Sequence, residues 1–291
     1  MSPDIQLRAA VLGLGIMGEA IACNLDQAGL LGAAWNRSPR PEFPRYTPVL
    51  RDALKSCEFL FILVTDDQAV ADVINNMEAD LGPQHLIIQC STVNPESNIR
   101  FQGQVEKRGT HFIEALIGGS KIAALDRQII LYTGGDAAQA QRAEPVLAAI
   151  SAKRIYIGET GKASAVKLAM NLNIAMQVES LCESFAYAER AGIDADTFFT
   201  VLKNNTAWNR LSDVKEPKLR RHEFSPQFSV KNMLKDIRLA LATDKTDHGL
   251  KLLAAVENIY ARAEAGGLGH EDMTALYKLL NNQRNRGTGP S

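Results

Sequence analysis

The sequence contains no CxxC pair, and its four cysteines, Cys23, Cys57, Cys90 and Cys182, stand far apart. They read as buried or incidental thiols of a reducing compartment rather than a disulfide framework. Charge of one sign is not in excess either. Lys plus Arg number 32 against 33 Asp plus Glu, a net charge of −1, so nothing electrostatic favours nucleic acid or an anionic membrane. No apolar run approaches the roughly 18 residues of a membrane helix. The opening "MSPDIQLRAAVLG" carries an acid and too short an apolar run for a secretory signal, so a cytoplasmic chain is expected. His85, His111, His222, His248 and His270 show no paired ligand spacing, and no metal site is expected. A GxSxG elbow for a serine nucleophile is also missing.

What the chain does have is apolar residues, 46% of 291, enough for one large domain or two of ordinary size. Short apolar runs recur through its first half: "RAAVLGL", "LGAAWN", "FLFILVT", "LIIQCST", "HFIEALI", "QIILYTGG" and "RIYIG". Segments with helical spacing separate most of them. That alternation predicts an α/β fold, a doubly wound parallel sheet of Rossmann type covered by helices on both faces. One crossover is interrupted by Pro39, Pro41, Pro44 and Pro48. An extended loop is expected there, with at most a short helix from about Val49.

The stretch "AVLGLGIMGEAIACNL" carries Gly13, Gly15 and Gly18 between a predicted strand and a predicted helix. In this context GxGxxG reads as a dinucleotide-binding turn. The first glycine permits the turn, the second lets backbone approach a pyrophosphate, and the third lets helix pack on sheet. The second predicted strand ends in Asn36, Arg37 and Ser38, where NAD-binding folds place an acid on the ribose hydroxyls. A missing carboxylate and a present guanidinium, with Arg40 close by, favour NADP(H) over NAD(H).

From about Gly161 the pattern turns helical, and "GKASAVKLAMNLNIAMQVESLCESFAYAERAGI" predicts one long helix, apolar around much of its circumference. Shorter amphipathic segments follow: "DADTFFTVLKNN", "VKNMLKDIRLALATDKT", "LKLLAAVENIYARAEA" and "HEDMTALYKLL". The expected organisation is a nucleotide-binding domain over residues 1–161 and an all-helical substrate and dimerisation domain over 162–291, joined by the long helix. A helix so apolar predicts a homodimer or higher homo-oligomer. The tail "NNQRNRGTGPS" is polar and expected to fray. Lys167 and Asn171 fall one turn apart on one face of the long helix. Spacing alone leaves Lys167 open between a functional ammonium and a rim lysine snorkelling to water.

Taken together, "GLGIMG", "NRSP", "QCSTVNPE", "GKASAVKLAMN" and "MLKDIRLAL" resemble the β-hydroxyacid dehydrogenase family from about residue 8 to about residue 281. That family includes 3-hydroxyisobutyrate dehydrogenases, tartronate semialdehyde reductases and glyoxylate/succinic semialdehyde reductases. The resemblance implies that Gly13, Leu14, Gly15, Ile16, Met17 and Gly18 hold the pyrophosphate and that Asn36, Arg37 and Ser38 hold the adenosine 2′ region. It further implies that Val64 and Thr65 lie along the cofactor and Thr92 near the nicotinamide. Lys167 takes the place of the catalytic lysine and Asn171 of the asparagine that orients it or the substrate. Lys235, beside Asp236, takes that of the lysine closing over cofactor and substrate. The substrate residues so implied are Gly118, Gly119, Ser120, Lys167, Asn171 and Lys235.

The resemblance breaks where the family carries "APVSGG" or "APVSGS" to hold the substrate carboxylate. Here Leu116 replaces the proline, Gly118 the serine, and Arg127 a later glycine. The implied activity is hydride transfer between NADP(H) and a small 3-hydroxyacid or semialdehyde, with Lys167 as general acid and base. An imine reductase and a non-catalytic NADP-binding sensor or scaffold are the competing readings. Retention of Lys167, Asn171 and Lys235 together argues for the enzyme.

Overall fold

A computed structural model describes residues 7–246 and 249–281. His248 and the polar tail beyond Asn281 lie outside the described residues. The chain divides into two compact units, residues 1–167 and 168–291.

In the first unit strands and helices alternate: β1 (Ala9–Leu12), α1 (Ile16–Gln27), β2 (Leu31–Trp35), α2 (Leu50–Leu54), β3 (Phe59–Ile62) and α3 (Asp67–Met77). They continue with β4 (Leu86–Gln89), α4 (Pro95–Glu106), β5 (His111–Gly118), α5 (Lys121–Leu125), β6 (Ile130–Gly135), α6 (Ala137–Arg142), α7 (Glu144–Ala148) and β7 (Lys153–Gly158). Helix α8 (Lys162–Arg190) runs on from this unit into the second. The proline-rich stretch is loop until Leu50, as its missing backbone donors dictate.

The strands form one sheet in the order β2-β1-β3-β4-β5-β6-β7. Successive side chains point to opposite faces, so each strand feeds two cores. Ala9, Val11, Phe59, Phe61, Leu86 and Ile88 pack on one face. Ala10, Leu12, Leu60, Ile62 and Ile87 pack on the other. The fold is the doubly wound α/β architecture, with one correction to a purely parallel sheet. Strand β6 pairs antiparallel with β5, Leu116 opposite Tyr132 and Gly118 opposite Ile130. The connection holds only the five-residue α5, too little helix for a crossover, so the chain turns straight back.

The second unit contains the rest of α8 with α9 (Ala195–Lys203), α10 (Arg210–Arg221), α11 (Val230–Thr243), α12 (Lys251–Ala263) and α13 (Tyr277–Asn281). Its core is Ala175, Val178, Leu181, Cys182 and Phe185 of α8 against Phe199, Leu219, Met233, Ile237 and Tyr260. Much of the apolar surface of α8 is therefore covered within this unit, and Met170 and Tyr187 are its exposed large apolar residues. Helix α10 was not visible as an apolar periodicity, because polar side chains form its buried face. Lys215 lies 3.0 Å from Asp272, both sealed from solvent, and Glu216 binds Lys203 and Arg220.

Glu179 on α8 is buried, and its Oε2 has no hydrogen-bond partner among the described residues. Burial, reinforced by Glu183 and opposed by Arg262, pushes its carboxyl up to about 7. An acid whose folded value is raised binds more protons folded than unfolded between pH 4.5 and about 7. It therefore withdraws stability as pH rises through that window. Glu179→Gln should match the wild type in urea unfolding at pH 5 and exceed it by about 2 kcal/mol at pH 8. A difference that does not change with pH would remove the buried charge as its cause.

Candidate active site

The C-terminal ends of β2, β1, β3 and β4 are adjacent, with Leu12 opposite Trp35 and Ile62, and Ile62 opposite Gln89. Crossovers leave β1 and β2 for opposite sides of the sheet. This edge is thus the switch point where doubly wound folds bind ligands. Gly13 follows β1 at φ +113°, and a Cβ there would lie 2.2 Å from the Leu63 carbonyl oxygen. A Cβ on Gly18 would lie 1.9 Å from the Gly13 carbonyl oxygen, so only glycine lets α1 begin this close to the sheet. A Cβ on Gly15, by contrast, would meet nothing within 4 Å. Gly15 caps α1 with no side-chain hydrogen bond, and the next residue, Ile16, is 57% exposed. An uncapped helix N-terminus facing open space across a glycine fits the pyrophosphate of a dinucleotide.

Asn36 braces this turn. Its Oδ1 accepts from the Leu14 amide at 2.9 Å, and its Nδ2 donates to the Ser38 carbonyl at 2.9 Å. Arg37 and Ser38 are exposed, and Arg37 makes no ion pair among the described residues. Arg40 folds back on the same turn, 3.4 Å from the Leu14 carbonyl and 3.9 Å from Glu19. Past β3, the Val64 amide donates to Ser91 Oγ at 2.8 Å, and Thr65 Oγ1 donates to Asp66 at 3.1 Å. Thr92 follows β4 in a half-buried position.

Beneath this edge lies a polar chain that sequence reasoning missed. Gln89 Nε2 donates to Asn98 Oδ1 at 2.9 Å, and Asn98 Nδ2 donates to Glu114 Oε1 at 2.6 Å. Glu114, fully buried in β5, also accepts from Ser164 Oγ at 2.5 Å and from the amides of Gly161 and Ala163 at 2.8 and 3.2 Å. The last three donors belong to the start of α8. A carboxylate at that end satisfies orphan amides and favours the helix dipole. Glu114 thereby fixes the first turn of α8, and half-buried Lys167 follows one turn later. Strand β5 then ends at Gly118, and Gly119 and Ser120 follow it. Ser120 Oγ accepts from the Ala123 amide at 3.3 Å as the cap of α5.

In the second unit, Asn171 Nδ2 donates to Asp236 Oδ2 at 2.5 Å, both residues buried, and Lys235 Nζ lies 3.0 Å from Asp236 Oδ1. Apart from Lys167 near the start of α8 and Gly118–Ser120 at the end of β5, the sequence-predicted residues gather as two groups. One is the sheet edge with Gly13–Gly18, Asn36, Val64 and Thr92, and the other is Asn171 with Lys235 and Asp236. Among the described residues no group of three or more His, Cys, Asp or Glu could hold a metal ion. No helix among them is long and apolar enough to cross a membrane.

Residues 8–158 match the family described as the NAD binding domain of 6-phosphogluconate dehydrogenase. Residues 161–280 match the NAD-binding domain of NADP-dependent 3-hydroxyisobutyrate dehydrogenase. Glyoxylate/succinic semialdehyde reductase 2, chloroplastic, of Arabidopsis thaliana is 28% identical over 94% of this chain and 80% of its own. Glyoxylate/succinic semialdehyde reductase 1 of the same plant is 26% identical over 94% of this chain and 98% of its own. The solved 3-hydroxyisobutyrate dehydrogenase of Mycobacterium tuberculosis superposes with a TM-score of 0.85 at 24% identity. It covers 95% of this chain and 99% of its own, a likeness of fold.

Proposed function

The chain belongs to the β-hydroxyacid dehydrogenase family and is an NAD(P)-dependent oxidoreductase of that type; from this premise we propose that it reduces small carboxylate-bearing carbonyl compounds with NADPH, Lys167 acting as general acid. One observation carries the reading. Glu114 pins the start of α8 to β5, the strand that ends at Gly118, with Gly119 next in the chain. A lysine one turn along α8 and the backbone amides ending β5 are thus tied to one buried carboxylate.

The turn from Gly13 to Gly18 and the α1 amides hold the pyrophosphate. Arg37, assisted by Arg40, holds a 2′-phosphate by charge and paired hydrogen bonds. Val64, Thr65 and Thr92 border the nicotinamide side. When bound, NADPH supplies the hydride. The Gly118 and Gly119 amides take the substrate carboxylate, with Ser120, the cap of α5, next to them in the chain. Lys167 donates its proton to the carbonyl oxygen as negative charge develops there. Asn171, one turn further along α8 and held by Asp236, orients the lysine.

The substrate class follows the relatives named for glyoxylate and succinic semialdehyde, and tartronate semialdehyde and methylmalonate semialdehyde extend it to other small carbonyl acids. A panel of these with a cyclic imine, followed by NADPH absorbance and repeated with NADH, tests the reading. Turnover of the acids is expected, with kcat/KM at least about tenfold higher for NADPH. Arg37→Asp should lower NADPH use about 10- to 100-fold and move the preference towards NADH. Turnover of the imine alone overturns the substrate class. NADH used as well as NADPH by the wild type overturns the role of Arg37.

A further inference from the structure

Position 118 carries no side chain, yet its space is crowded. On the antiparallel pair β5–β6, Glu114 lies opposite Gly134, Leu116 opposite Tyr132 and Gly118 opposite Ile130. Alternation sets these six residues on one face. The start of α8 covers that face at the first pair: Gly161, Ala163 and Ser164 bond to Glu114. A Cβ on Gly134 would stand 3.1 Å from the Ala163 Cβ. Tyr132 belongs to the next pair towards the end of β5. A Cβ on Gly118 would lie 3.0 Å from Tyr132 Oη and 3.2 Å from its Cε2 and Cζ. The tip of the tyrosine ring therefore crowds the room that a side chain at 118 would need, and would have to give by a few tenths of an ångström to admit one.

Leu116 is fully buried, whereas Tyr132 is half-buried. Its hydroxyl makes no hydrogen bond among the described residues and is not among their buried, unpartnered polar atoms, so it is open to solvent or to a ligand. The neighbouring Ser120 Oγ accepts from the Ala123 amide as the cap of α5, which fixes its position on that helix. An unbonded O–H beside the Gly118–Gly119 backbone is a donor awaiting an acceptor. We propose that Tyr132 is a substrate-binding residue whose phenol O–H donates to the substrate carboxylate at Gly118–Gly119, replacing a side-chain hydroxyl at position 118 from the adjacent strand. This rests on the carboxylate-bearing carbonyl reading above. A charge-assisted bond from a neutral phenol orients the acid and takes no part in proton transfer to the carbonyl.

Tyr132→Phe keeps the ring and removes only the hydroxyl, so the β5–β6 packing survives. The variant should raise KM for glyoxylate and succinic semialdehyde about 10- to 100-fold and leave kcat nearly unchanged. NADPH affinity and turnover of a carboxylate-free aldehyde of equal length should stay at wild-type values. Calorimetry with malonate on NADP+-loaded protein should show the same loss of affinity. The double variant Gly118→Ser, Tyr132→Ala puts a hydroxyl where the ring stood and should recover much of the lost affinity. Unchanged KM and malonate affinity in Tyr132→Phe overturn the inference, as does an equal loss for every substrate and for NADPH. Wild-type protein that reduces no carbonyl acid yet binds malonate through Tyr132 would refute the proposed reaction and uphold this residue. Reduction of the acids with no effect of Tyr132→Phe would do the reverse.

Discussion

Lys167→Ala is expected to cut kcat by about 10²- to 10⁴-fold, the span over which positioned acids and bases act. NADPH affinity should stay within about twofold, because the glycine turn and Arg37 contribute the nucleotide contacts of the proposed site. The size of the effect follows from how Lys167 is held. Side-chain entropy opposes fixing a lysine, so a lysine on a fraying helix end would be a poor acid. Here the start of α8 is anchored by three hydrogen bonds to Glu114, from Gly161, Ala163 and Ser164, and Asn98 of α4 donates a fourth bond that holds the same carboxylate. The proposed proton donor therefore stands on an anchored element, as a pre-organised site requires. A rim lysine that only covers apolar surface would behave otherwise. Its removal would move the melting temperature slightly and turnover hardly at all. Turnover and NADPH affinity measured on the same variant separate the two. Near-normal kcat would take Lys167 out of the mechanism.

The sequence disclosed those parts of the protein whose cause is local. The switch from a continuous apolar run to helical spacing across Gly13–Gly18 is a local signal, and β1, the turn and α1 appear there. The prolines between Ser38 and Val49 likewise announced a broken crossover. Strand direction is not local. "QIILYTGG" has the apolar character of its neighbours, and only the short β5–β6 connection makes it antiparallel. Helix α10 escaped because Pro217 lies within it and paired charges, Lys215 and Glu216, form its buried face. In the site, Glu114 is one acid inside the apolar run "HFIEALI". Its partners Asn98 and Ser164 lie 16 and 50 residues away. No periodicity brings those three together; the sheet and the start of α8 do. The same holds for Tyr132, whose meaning depends on the glycine diagonally across from it on β5.

Gly15→Ala should abolish most nucleotide binding while leaving the fold untouched, whereas Gly13→Ala and Gly18→Ala should damage the fold itself. Three glycines of one motif thus separate by what surrounds each. A methyl group on Gly13 would lie 2.2 Å from the Leu63 carbonyl oxygen, and one on Gly18 1.9 Å from that of Gly13. Both obstacles are backbone atoms of the sheet edge, which no side-chain rotation relieves. Gly13 also holds φ +113°, strained for alanine. Either change should lower the melting temperature by several degrees, about 2 kcal/mol or more. Gly15 differs in both respects. Its φ of −77° and ψ of −169° suit alanine, and nothing stands within 4 Å of the added carbon. The open space is what a pyrophosphate would use, close against the α1 amides. A methyl group there holds the phosphates off and forfeits one or two charge-assisted hydrogen bonds, so NADPH affinity should fall about 10- to 300-fold. Thermal unfolding without nucleotide, paired with an NADPH fluorescence titration, reads both quantities on each variant. If Gly15→Ala binds NADPH as the wild type does, the phosphates do not sit at this turn, and the nucleotide site must be sought elsewhere on the sheet edge.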